Sequence, residues 1–123
     1  MPSVWCIYHV KKYRYAKPKP KDKFVIIALR DTKPWGFFIN TDIRQFVQNR
    51  PELLACQVSI KASSHKCLSY DSYVDCTELF PFEDTELTDI RDKVDKQTQA
   101  EIKKAVAISK TLVVRHQKII LAD

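Results

Sequence analysis

Apolar and polar residues alternate along much of the first two thirds of the chain, a period of two that is typical of β-strands. The apolar run Phe24–Leu29 is rich in β-branched residues and predicts the strongest strand. The residues Asp31-Thr32-Lys33-Pro34 form a turn signal, so Trp35–Asn40 is expected to return as the second strand of a hairpin. Three further strands are predicted at Met1–Val10, Leu54–Lys61 and Ser69–Cys76.

The period changes in the last third of the chain, where the pattern predicts helices. The sequence Thr98-Gln99-Ala100-Glu101 fits a capping box, and one stripe of the helix that follows consists of Ile102, Ala105, Val106 and Ser109. Shorter helices are predicted at 43–48, capped by Thr41 or Asp42, at 85–94 and at 112–121. Strands followed by helices predict an α+β fold, with a small, strongly bent antiparallel sheet and C-terminal helices.

The length of 123 residues predicts a single domain over 1–123, with an SH3-like barrel in 1–83 that includes a basic connector at 11–23, and a helical segment in 84–123. One glycine is too few for a glycine-rich phosphate loop. The N-terminus lacks the features of a signal peptide and no apolar run approaches the length of a membrane span, so a cytoplasmic protein without membrane association is expected.

The four cysteines have no CxxC spacing, and small buried hydrophobes are the favoured interpretation. A zinc site can be drawn from Cys56, His65, Cys67 and Cys76, but its spacing is not that of a known finger or ribbon. No metal and no cofactor is therefore expected.

The net charge of +6 is concentrated in one segment. Residues 11–23 hold seven basic residues and one acid, whereas the remainder holds 14 basic and 14 acidic residues. Lysines and arginines interleaved with Tyr13 and Tyr15 suit a polyanion, since cations neutralise phosphates and aromatic rings stack on bases. The alternative is a solvated loop. The candidate RNA-binding residues are Lys11, Lys12, Arg14, Lys17, Lys19, Lys21 and Arg30.

Groups that can act on a phosphodiester occur near predicted strand ends. His65 lies in a polar stretch, and its imidazole can exchange a proton near neutral pH; the alternative is a surface histidine bonded to water or a carbonyl. Thr41 ends a strand, where it can cap a helix or hold a phosphate oxygen, and Lys23 precedes the strongest strand as a cation. Asp71 and Asp75 share a strand face, as an acid pair or, in the favoured interpretation, as solvent-facing residues.

The order of these strings resembles the PemK/MazF-like toxin superfamily of type II toxin–antitoxin systems. The strings are Phe24–Leu29, Gly36–Thr41, Gln57–Ile60, Ser64-His65 and Tyr70–Asp75. The resemblance implies an SH3-like barrel followed by a C-terminal helix, a toxin that acts as an endoribonuclease, a cognate antitoxin as partner and a homodimer. It places the site residues at Lys23, Thr41, His65 and Ser72.

The sequence thus predicts an enzyme that cleaves single-stranded RNA by metal-independent acid–base chemistry, through attack of the ribose 2′-hydroxyl on the adjacent phosphate. In this hypothesis His65 is the acid or base, Lys23 stabilises charge, and Thr41 and Ser72 position the substrate. The rival hypothesis is a non-enzymatic barrel of the same fold that binds nucleic acid or a protein partner.

Overall fold

The computed structural model describes residues 2–123, so only Met1 of the predicted first strand lies outside the described residues. The strands are β1 (Cys6–Tyr13), β2 (Lys21–Asp31), β3 (Lys33–Asn40), β4 (Gln57–Ile60), β5 (Ser72–Asp75), β6 (Phe80–Pro81) and β7 (Ile90–Lys93). The helices are α1 (Gln45–Gln48), α2 (Pro51–Leu54), α3 (Lys96–Ile108) and α4 (Val114–Ala122), and 3₁₀ turns lie at Ala62–Ser64 and Asp84–Glu86.

The strands form one antiparallel sheet in the order β4-β5-β3-β2-β1-β7, with β6 paired to the start of β3. The long β2–β3 hairpin forms its centre, as the sequence predicts. Register shifts in β1 after Val10 and in β2 between Ile27 and Leu29 are irregularities of the kind that increase strand bending. The predicted α+β class and strongly bent antiparallel sheet with C-terminal helices are confirmed.

Strand pleating sends alternate residues to the two faces of the sheet, and each face has its own hydrophobic core. On one face Ile26 and Phe37 belong to a large cluster with Ile102 of α3 and Ile120 of α4. On the other face Val25 belongs to a smaller cluster that includes Cys6, Tyr8, Val10, Tyr13, Ile27, Phe82 and Leu87. Among residues 2–123, none of the members of this second cluster lies in a helix, and one of them is Tyr13, the last residue of β1.

Gly36 allows β2 and β3 to approach closely. A Cβ atom at this position would lie 2.6 Å from the backbone oxygen of Ile26, a distance that real Cβ contacts do not show. Gly36 also pairs with Phe80 of β6, so β3 has neighbours on both sides here. The single glycine of the chain is therefore required by packing and not by a turn.

Three local predictions are wrong. Residues 85–94 do not form a helix but contain β7, which pairs with β1 and extends the sheet beyond residue 83. The N-cap of α3 is Asp95, whose Oδ1 accepts the amide hydrogen of Thr98 at 2.8 Å, so Thr98 is not the cap. The helix predicted at 43–48 begins only at Gln45, and neither Thr41 nor Asp42 caps it. Cross-strand pairing and capping by a residue three positions earlier decided these boundaries.

No helix within residues 2–123 combines the length and the apolar character that crossing a bilayer requires.

Candidate functional site

A groove of about 480 Å³ opens where β2 begins and β3 ends. The β2–β3 register pairs Phe24 with Ile39, so continuing it by one residue places Lys23 directly across from Asn40. The connector forms the opposite side of the groove through Tyr15 and its neighbours. The charged residues that line the groove are Lys17, Lys21, Asp22, Lys23, Asp42, Arg44, Asp75 and Glu78.

Lys23 lies at the inner wall of this groove, half-buried. Its Nζ donates a hydrogen bond to Asn40 Oδ1 at 2.5 Å and lies 4.8 Å from the centre of the Phe38 ring. The pKa of Lys23 is lowered from 10.5 to about 8, chiefly by burial and also by the charges of Lys21 and Arg44, while Asp75 opposes the shift. The result is an amine that can exchange protons near neutral pH.

Arg44 is a second cation in the groove. Its side chain is exposed and forms a salt bridge with Asp75. Its Nη2 lies 3.6 Å from Asp75 Oδ2. The other oxygen, Asp75 Oδ1, accepts hydrogen bonds from Gln57 Nε2 at 2.9 Å and from Thr77 Oγ1 at 2.6 Å. Asp75 is buried, so the favoured prediction of a solvent-facing carboxylate is wrong for it. These contacts fix the carboxylate that orients Arg44.

Thr41 is exposed at the end of β3 and lines the groove beside Asp42. Lys23 and Thr41 are therefore brought to one site by the β2–β3 pairing, as the sequence hypothesis requires. Their catalytic roles stay predictions.

His65 lies elsewhere, in the core. It is fully buried, where an exposed polar loop was expected. Its Nδ1–H donates to the carbonyl oxygen of Lys61 at 2.8 Å, and its Nε2 accepts the amide hydrogen of Asp95 at 3.1 Å. Both ring nitrogens are therefore used to hold the loop after β4 against the start of α3, and the imidazole does not line the groove.

Ser72 is also buried and also lies outside the groove. Its hydroxyl donates to the carbonyl oxygen of Tyr70 at 2.9 Å, a local bond that shapes the start of β5. The structure thus separates the four predicted site residues into two groups: Lys23 and Thr41 line the groove, whereas His65 and Ser72 have backbone partners inside the fold.

The predicted RNA-binding residues are similarly divided. Lys17 and Lys21 line the groove, and Lys19 is exposed in the same connector. Lys11 and Lys12 are exposed at the end of β1. Arg14 lies 3.4 Å from Glu86, and Arg30 pairs with Asp84 near the opposite end of β2. Arg30 therefore does not contribute to the groove.

The two connector tyrosines also differ. Tyr13 is buried against Phe82, with ring centres 4.5 Å apart, and burial raises the pKa of its phenol. It cannot stack on a base, contrary to the expectation. Tyr15 is half exposed and lines the groove. The guanidinium carbon of Arg14 lies 4.8 Å from the centre of its ring. Of the two, Tyr15 is the one whose ring is accessible, and its stacking on a base stays a prediction.

Sequence reasoning missed Asn40 and Arg44. Asn40 precedes Thr41 and was counted only as the last strand residue, although a polar side chain opposite Lys23 follows from hairpin register. Arg44 gives no local signal, because its position in the groove depends on the carboxylate of Asp75, 31 positions later in the sequence.

A second cleft, of about 580 Å³, lies between β4 and α3. It is lined by none of the predicted site residues, and its charged residues are Lys61, Asp95, Glu101 and Lys104. The groove at Lys23 is therefore the better candidate.

The cysteines are all free, and Cys67 alone is not fully buried. Burial raises the pKa values of Cys6, Cys56, Cys67 and Cys76, as expected for thiols among apolar neighbours. Within the part of the chain that the structure describes, no three His, Cys, Asp or Glu side chains are grouped in a way that could hold a metal ion.

No family model and no curated protein matches this chain in sequence. Solved structures do match its fold. The Mycobacterium tuberculosis toxin MazF-mt6 superposes with a TM-score of 0.59 at 17% identity, over 81% of this chain and 90% of its own. An endoribonuclease in complex with its cognate antitoxin, from a mycobacterial species, superposes with a TM-score of 0.64 at 16% identity, over 92% of this chain and 98% of its own. At these identities the likeness concerns the fold alone, and at that level the expected resemblance is confirmed: the chain has a MazF-like fold.

Proposed function

We propose that this protein is a toxin-like endoribonuclease that cleaves single-stranded RNA in the groove at Lys23. The observation that carries the proposal is a half-buried lysine with a pKa of about 8 in an open groove, beside the exposed guanidinium of Arg44. At pH 7 about a tenth of such an amine is neutral, roughly 300-fold more than for a lysine of pKa 10.5. Perturbed groups of this kind in clefts are typical of catalytic sites.

In the proposed reaction, the neutral amine of Lys23 removes the proton of a ribose 2′-hydroxyl. The 2′-oxygen attacks the adjacent phosphorus, the bond to the 5′-oxygen breaks, and the leaving oxygen takes a proton from water in the open groove. Arg44 stabilises the charge of the phosphorane, since a guanidinium binds phosphate oxygens in two-point contacts. Thr41 positions a phosphate oxygen by its hydroxyl. The step uses only these side chains and requires no metal ion.

Asn40 and Asp75 keep the two cations in place. Asn40 accepts a hydrogen bond from Lys23 Nζ and fixes its position in the groove, and the ammonium formed in the reaction returns its proton to water, which restores the amine. Asp75, itself anchored by Gln57 and Thr77, directs Arg44 toward the groove. We leave His65 and Ser72 out of this mechanism, because both are buried and use their polar atoms for backbone contacts.

The connector supplies the affinity for RNA in this proposal. Lys17, Lys19 and Lys21 neutralise phosphates along one side of the groove, and Tyr15 offers an exposed ring for a base. A protein that retains these contacts but lacks cleavage would be the non-enzymatic nucleic-acid binder of the rival hypothesis.

Partners are proposed on the same basis. One fold neighbour was solved as an endoribonuclease in complex with its cognate antitoxin. We infer that this chain also has an antitoxin partner, that it forms a homodimer, and that it acts in the cytoplasm. An acidic segment that enters the groove would meet Lys21, Lys23 and Arg44 and would compete with RNA.

The test is cleavage of unstructured RNA by the purified protein, with and without EDTA, and analysis of the product ends. We expect 2′,3′-cyclic phosphate and 5′-hydroxyl ends, with a rate that rises with pH and levels off near pH 8. Lys23→Met should lower the rate about 10²–10⁴-fold, the usual contribution of a general acid–base group. Full activity of this variant, or loss of activity with EDTA, would contradict the mechanism.

A further inference from the structure

Phe46 is an aromatic residue on the surface whose exposure the core does not explain. It lies in α1, its side chain is 56% exposed, and it belongs to neither hydrophobic cluster. The Arg50 guanidinium carbon lies 4.2 Å from the centre of its ring. A cation above an exposed ring presents a flat π-surface and a positive charge to the same ligand.

This pair follows closely in the chain after a residue that lines the groove. Arg44 lines the groove and immediately precedes α1, and Phe46 follows two residues later. Consecutive Cα atoms are 3.8 Å apart, so those of Arg44 and Phe46 are at most about 7.6 Å apart. A strand of RNA that leaves the groove at Arg44 therefore reaches Phe46 with its next nucleotides.

The segment 41–54 is neutral overall, with two arginines and two acids, but Arg50 is available to a phosphate. Asp42 and Glu52 are the acids of the segment 41–54, and neither forms a salt bridge with Arg50 within residues 2–123. Arg44 is held by Asp75 but remains largely exposed. Arg44 and Arg50 flank Phe46 in the sequence and are both accessible to phosphates, and phosphates alternate with bases along a single strand.

We propose that Phe46 and Arg50 form a second RNA contact, in which a base outside the cleaved linkage stacks on Phe46 and Arg50 binds a neighbouring phosphate. The proposal rests on the RNA-directed function given above. In it, the α1–α2 segment binds nucleotides of the RNA that lie outside the groove. A protein partner seated on Phe46 is the competing occupant, and the experiment below distinguishes the two.

The experiment measures the affinity of the protein for a mixed-sequence nonanucleotide in which every ribose carries a 2′-O-methyl group, so that cleavage cannot occur. Fluorescence anisotropy would be recorded for the wild type, Phe46→Ala, Phe46→Trp and Leu54→Ala. Leu54 is a matched control, because it is an exposed apolar residue of the neighbouring helix α2. Since Phe46 is exposed, its truncation should leave the urea midpoint unchanged.

We expect Phe46→Ala to weaken binding by about 5- to 150-fold, the equivalent of about 1–3 kcal/mol of base stacking. Phe46→Trp should bind at least as tightly as the wild type, and Leu54→Ala should be unchanged. An affinity of Phe46→Ala within twofold of the wild type would overturn the proposal and favour a protein partner, and so would no binding by the wild type. Tight binding that depends on Phe46, together with no cleavage of unmodified RNA, would contradict the proposed nuclease function but support this contact.

Discussion

Replacing Lys23 by methionine should stabilise the fold near neutral pH while it removes the proposed chemistry. Folding moves the Lys23 ammonium from water into a half-buried site, where its pKa is about 8 instead of 10.5. One pKa unit corresponds to 1.36 kcal/mol, so the full shift would represent about 3 kcal/mol of cost to the folded state. Because the amine still contacts solvent in the open groove, we reduce this to about 1–2 kcal/mol.

The sign of the pH dependence follows from where each state holds its proton. Below about pH 8 the folded and unfolded chains are both protonated at Lys23, and the folded state bears the full cost of the charge. Between about pH 8 and 10.5 the unfolded chain keeps the proton and the folded chain loses it, so the cost declines as pH rises. The wild type should therefore gain stability relative to Lys23→Met across this range.

The assay is urea unfolding of both proteins at pH 7 and pH 10. Lys23→Met should be about 1–2 kcal/mol more stable than the wild type at pH 7, and this difference should shrink by a similar amount at pH 10. Because the two proteins are compared at each pH, the contributions of all other titrating groups to the free energy of unfolding cancel. Lys19→Met, which changes an exposed connector lysine, is the control and should show no such dependence. A stability difference that is the same at both pH values would refute the inference that burial depresses the Lys23 pKa.

Three further predictions concern the core, the sheet and the connector. His65→Ala should lower the free energy of unfolding by about 2–4 kcal/mol in urea titrations, since the Lys61 carbonyl and the Asp95 amide lose their shared partner; a loss below 1 kcal/mol would argue against a structural histidine. Gly36→Ala should cost about 1–3 kcal/mol by the same measurement, because the added Cβ clashes with the Ile26 carbonyl; a neutral effect would mean that β2 and β3 separate easily. Replacing three connector lysines with glutamine should reduce the slope of log affinity against log salt for single-stranded RNA by about 0.7 per lost phosphate contact, and an unchanged slope would place RNA elsewhere; the three are Lys17, Lys19 and Lys21.

Local pattern predicted the elements that are long or strongly periodic. The run Phe24–Leu29 and its return strand form the central hairpin, and the apolar stripe of Ile102 and Val106 faces the core from α3. The pattern failed for β7, whose four residues are largely exposed and polar. That strand exists because β1 offers a free edge, and a sequence window contains no information on a partner more than 70 residues away.

The sequence by itself determined the fold class, the concentration of positive charge in the connector and the position of Lys23 and Thr41 at facing strand ends, because hairpin register and charge are properties of neighbouring residues. Only the tertiary structure decided which polar groups are buried and which meet. It placed His65 inside the fold, joined Arg44 to Asp75, and lowered the Lys23 pKa by desolvation. Burial and long-range pairing depend on how distant segments pack. The histidine expected to exchange protons therefore has a structural position, and the lysine expected to be a fixed cation has a lowered pKa.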